Sequence, residues 1–113
     1  MNALASEWAA YLEERGHQVK RSPRDFNAVI SRNGHGTRYR WLLLRSGRAT
    51  RRLTPIEREH VERDLQRGRK AGQRVFVVIE FEPPISKLIV LPAAKVLKAS
   101  RLTSAKGGIP WDE

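Results

Sequence analysis

The sequence predicts one small α/β domain with its elements in the order αβββαββα, a mixed sheet flanked by helices. Three observations predict it. A length of 113 residues suits one core and leaves no room for two. The chain opens on a helix-period apolar pattern. Two apolar strands, residues 38–46 and 74–82, then bracket a helix with a strong start signal, and that spacing is a parallel crossover. The domain is expected over residues 1–99, with an irregular tail over 100–113.

In the first segment Leu4, Trp8 and Leu12, beside Ala5, Ala9 and Tyr11, recur at three and four residues and predict a helix that Gly16 stops. Residues 17–21 read as a short strand around Val19. Ser22-Pro23-Arg24-Asp25 reads as a turn, and residues 26–31 as a second strand. Asn33-Gly34-His35-Gly36 is a hairpin connection to the third strand, residues 38–46. Its alternation puts Tyr39, Trp41, Leu43 and Arg45 on one face and Arg38, Arg40, Leu42 and Leu44 on the other.

Residues 47–53 form a basic loop. Thr54-Pro55-Ile56-Glu57 then starts a helix: threonine to cap it, proline at the first helical position, glutamate at the third. The helix runs to about Ala71 before Gly72, with a thin apolar stripe of Ile56, Val61 and Leu65. Residues 74–82 are apolar enough to be a central strand, and Pro83-Pro84 ends it. Residues 87–91 pair back as a hairpin, and residues 93–99 close the domain with a short helix.

Charge points to the partner. Lys and Arg number 22 against 12 Asp and Glu, a net +10. Arginine favours bidentate phosphate contacts, so DNA or RNA is the expected partner, bound more weakly as salt rises. The plain alternative is solubility. The absence of cysteine excludes disulfides, thiol nucleophiles and cysteine-based zinc sites. The first residues lack the basic and apolar regions of a secretion signal, and the longest apolar runs are too short to span a bilayer. A cytoplasmic protein without membrane contact is the expectation.

Order and spacing over residues 3–98 resemble the PD-(D/E)XK nuclease superfamily, in particular small Holliday junction resolvase-like and Mrr-like domains. Glu13-Glu14-Arg15-Gly16-His17-Gln18-Val19 is similar to the family's first helix end. Arg24-Asp25-Phe26-Asn27-Ala28-Val29-Ile30 falls at its Pro-Asp strand, and Arg40-Trp41-Leu42-Leu43-Leu44-Arg45-Ser46 at its Glu-x-Lys-Ser. The resemblance implies a restriction-endonuclease-like fold. It also implies a Mg²⁺ site built from carboxylates beside a lysine. Here Leu43 stands for the glutamate and Arg45 for the lysine, while the aspartate falls on Asp25 or, two residues on, Asn27. Leucine binds no metal and arginine stays protonated. The resemblance therefore implies a scaffold that keeps binding and has lost cleavage, with no cofactor and no catalytic residue.

The expected binding set is Arg38, Arg40, Arg45, Arg48, Arg51, Arg52 and Arg58. Arg45 reads equally as a phosphate contact or a solvent-facing strand end. The rival reading is an active nuclease with relocated carboxylates from Glu7, Asp25, Glu80 and Glu82, which would need Mg²⁺. Against it, Asp25 is most simply a turn residue, and Glu80 and Glu82 are edge charges for the many arginines. His17, His35 and His60 lack metal spacing, no serine sits in a nucleophile elbow, and no phosphate loop is present. A third reading is an accessory subunit for an acidic protein, with Trp111 of the tail as a docking residue. Small resolvase-like domains often act as dimers, which leaves a homodimer open.

Overall fold

In the computed structural model, which describes residues 3–20, 28–99 and 101–104, the two long strands β3 (Arg38–Ser46) and β5 (Gln73–Phe81) run parallel at the centre of a sheet. The sheet has five strands in the order β1-β2-β3-β5-β6, with β1 (Gln18–Lys20), β2 (Ala28–Arg32) and β6 (Lys87–Pro92) all antiparallel to their neighbours. A parallel pair needs a crossover, and α2 (Pro55–Lys70) supplies it. Residues 75–79 of β5 are all buried, as a strand covered on both faces requires. The architecture is the mixed sheet flanked by helices that the sequence predicts, and it is consistent with a restriction-endonuclease-like fold.

Strand alternation divides the core into two layers. On one face α1 (Ala3–Glu14) buries Leu4, Trp8 and Leu12 against Val29, Trp41, Leu43, Phe76 and Val78. On the other, Val61 of α2 and Ala93 and Val96 of α3 (Ala93–Lys98) pack on Leu42, Val75, Val77, Ile79 and Ile89. The stripe of α2 is shifted from the expected one. Ile56 is 66% exposed, while Gly68 is buried. At about 100° per residue, Ile56 lies far round the helix from Val61, whereas Gly68, seven residues on, returns to the same face.

The chain after α3 is not irregular at once. β7 (Leu102–Thr103) pairs with β4 (Thr50–Arg51) inside the basic loop, and Leu102 is buried in the α2-side core. Within the stretch expected to be irregular, residues 102–103 thus form a short strand, and Leu102 enters the core. The turn at residues 22–25, with Asp25, and Asn27 and Trp111 lie outside the described residues. No helix among the described residues is long and apolar enough to cross a membrane.

The α1 face carries an aromatic column. Trp41 stacks on Tyr39 and Phe76, at 5.1 and 5.2 Å between ring centroids, and meets Trp8 edge-on at 5.4 Å. Its indole donates to the buried Ser31 Oγ (2.8 Å), which lies 3.0 Å from His17 Nδ1. The Ser31 hydroxyl can give its hydrogen to a neutral imidazole. Partial burial disfavours the charged ring and holds His17 below its ordinary pKa of 6.5. The unfolded chain then takes up this proton more readily than the folded one, so His17 lowers stability as pH falls through 6.5 toward its folded value. An NMR titration of the His17 ring should give a midpoint below 6.5, and His17→Gln should flatten the stability profile across that window.

Candidate nucleic-acid interface and cleft

The strand ends that the resemblance singles out lie on the α1 face, because Leu43 and Arg45 alternate with Trp41. Leu43 is 4% exposed and belongs to the aromatic core. Arg45, directly across from Glu80 on β5, pairs with it at 3.0 Å (Arg45 Nε to Glu80 Oε1). Glu80 and Glu7 of α1 line one cleft of about 440 Å³ between α1 and the β5–β6 turn, with Trp8, Tyr11 and Lys87. Glu82 is exposed just beyond β5, its backbone N–H donating to Ser46 O (2.8 Å). Two of the four relocated-carboxylate candidates thus share a cleft.

The cleft's described lining offers two carboxylates, Glu7 and Glu80. A hard cation wants several oxygen ligands. Leu43 is buried in the core and is not part of that lining, and Arg45 already pairs with Glu80. Among the described residues no three His, Asp or Glu side chains are placed to share an ion.

The seven arginines expected to bind together are not one surface. Arg38 and Arg45 sit near opposite ends of β3, roughly 23 Å apart at strand rise, and on opposite faces. Arg40 is buried beneath α2, with its guanidinium held by Asp64 (3.1 Å) and Gln73 (2.9 Å). Strand alternation alone could not reveal Asp64 as its partner, since the pairing crosses from sheet to helix. Arg51 is likewise committed. It ion-pairs with Glu57 and donates to Arg45 O (3.0 Å). Glu57 closes the capping box expected at the start of α2, accepting from Thr54 N (2.9 Å) while Thr54 Oγ1 accepts from Glu57 N (3.1 Å). Burial pushes the Glu57 carboxyl up, but the bonds from Arg51 and Thr54 and the Arg51 charge together outweigh it and hold the group below its ordinary value. Arg58 donates to Leu97 O (2.8 Å), tying α2 to α3. Arg48 and Arg52 remain exposed on the loop, and Arg38 is exposed at the far end of β3.

These features define an α/β domain of restriction-endonuclease-like fold. Among solved structures it is similar to a Holliday junction resolvase, Hjc of the archaeal hyperthermophile Archaeoglobus fulgidus, with a TM-score of 0.65 at 15% identity over 88% of this chain and 85% of that one. No protein-family model and no curated protein sequence matches the chain.

Proposed function

We propose that this domain binds nucleic acid, DNA or RNA, through the phosphate backbone and does not cut it. The Arg45–Glu80 pair carries the reading: where a nuclease of this scaffold gathers carboxylates around a cation, this chain sets its own permanent cation against the carboxylate. The net charge of +10 supplies the attraction. The likeness to a junction resolvase supports a nucleic-acid partner.

The purified protein should bind a short labelled duplex at low salt and lose affinity steeply as salt rises, with no Mg²⁺- or Mn²⁺-dependent nicking of plasmid DNA. Arg48→Ala with Arg52→Ala should weaken binding severalfold and leave stability unchanged, since exposed loop charges are rarely structural. Arg51→Ala should instead cost about 1 kcal/mol of stability in a urea melt, through the lost bond to Glu57.

One observation favours the rival enzyme: Glu7 and Glu80 face a common cleft. Metal-dependent cleavage by the wild-type protein, abolished in Glu80→Gln, would establish that rival and overturn the binding-only reading.

A further inference from the structure

On the face opposite the cleft, the β1–β2 end of the sheet carries a groove with a basic lining. α2 packs over β3 and β5, and α1 covers β1 and β2 from the other side, so among the described residues no helix packs on the α2-side face of β1 and β2. Register sets two rows of side chains across it. Gln18, Arg32, Arg38 and Gln73 stand in line on four adjacent strands, with Lys20 and Ile30 in the row behind. At strand spacing the first row is about 14 Å long. These residues line one groove of about 580 Å³ whose described lining has three cations and no carboxylate. Asp64 of α2, which pairs with the neighbouring Arg40 of β3 at 3.1 Å, is not in the groove's described lining.

Arg32 and Arg38 are direct cross-strand partners. Like charges placed opposite one another weaken a strand pair, and here no acid stands in either row to relieve them. An anion bridging the two guanidinium groups would turn that repulsion into two charge-assisted contacts. Among the described residues the groove's lining holds no aromatic ring for stacking, while Trp8, Tyr11, Tyr39, Trp41 and Phe76 lie on the α1 face. Unpaired bases are held by aromatic stacking, whereas a duplex presents its phosphates outward and needs none.

We infer that Lys20, Arg32 and Arg38 form a docking surface for the phosphate backbone of a nucleic-acid duplex, distinct from the cleft and from the loop arginines. This rests on the proposed nucleic-acid function and places its main contact on the other side of the sheet.

The test compares the wild-type protein, the Lys20→Gln/Arg32→Gln/Arg38→Gln variant, and the Arg48→Ala/Arg52→Ala variant. Each is titrated by fluorescence anisotropy into a short DNA duplex and into one of its strands, across a salt series. A charge-retaining Lys20→Arg/Arg32→Lys/Arg38→Lys variant and thermal melts control for folding. The groove variant should lose at least about tenfold in duplex affinity, and its log–log salt slope should fall by about two to three. The loop variant should lose less, the charge-retaining variant should keep most of the binding, and the wild type should prefer duplex to single strand. A folded groove variant that binds duplex like the wild type overturns the inference and leaves the proposed function standing, as does equal or better binding of the single strand. A wild-type protein that binds no duplex at low salt overturns both.

Discussion

Arg40→Ala is expected to destabilise the domain by about 3 kcal/mol, a fall of roughly 10–15 °C in the melting midpoint. The guanidinium lies beneath α2, 8% of the residue exposed, between Asp64 and Gln73. Removing it takes from the Asp64 carboxylate, 15% exposed, the guanidinium that it pairs with at 3.1 Å. The diagnostic variant is Arg40→Met combined with Asp64→Leu. With both charges gone, no buried ion is left alone, and most of the stability should return. An arginine whose role is to meet phosphate would behave the other way: the single change would leave the melt untouched, and the second change would recover nothing. Urea melts of the two variants decide between these outcomes.

Gly68→Ala is expected to cost about 2 kcal/mol, against the general trend for helices. In an exposed helix interior the same change gains about 1 kcal/mol. At Gly68, however, α2 presses onto β5 so closely that an added Cβ would lie 2.3 Å from Val75 Cγ2. Val75 is buried and β-branched, so it cannot turn aside, and the helix must lift instead. Lifting α2 also loosens the bonds that Arg40 makes to Asp64 and Gln73. Thermal melts of Gly68→Ala and Gly68→Ser should both fall, with serine no better. A gain in stability for alanine would show that the helix stands further from the sheet.

Much of this fold is legible in the sequence because its signals are local. Thr54-Pro55 and Glu57 announce the start of α2, and the structure closes the same capping box. The alternation of Tyr39, Trp41 and Leu43 fixes which face of β3 meets α1. What the sequence hides is pairing between distant residues. Nothing near Arg40 in the chain marks it as internal, because Asp64 reaches it only after α2 has folded back over the sheet. The loop strand β4 is hidden for the same reason, its partner being some fifty residues on. Lys20, Arg32 and Arg38 illustrate the converse. They are scattered along the chain and become one groove only through the register of three strands.

The clasp between β4 and β7 sets how the molecule breathes. It is two residue pairs long, Thr50 with Thr103 and Arg51 with Leu102, prolonged by the Ser104 N–H donating to Ala49 O at 2.9 Å. Opening so short a ladder frees little buried surface compared with prising β5 from the centre of the sheet. In the language of hydrogen exchange, the clasp belongs to the weakest cooperative unit and β5 to the strongest. Each excursion that lifts Leu102 from the core also removes one of the loop's ties, leaving those of Arg51 to Glu57 and Arg45 O and of Ser46 to Arg48. The placement of Arg48 and Arg52 is therefore coupled to a contact made by the far end of the described chain.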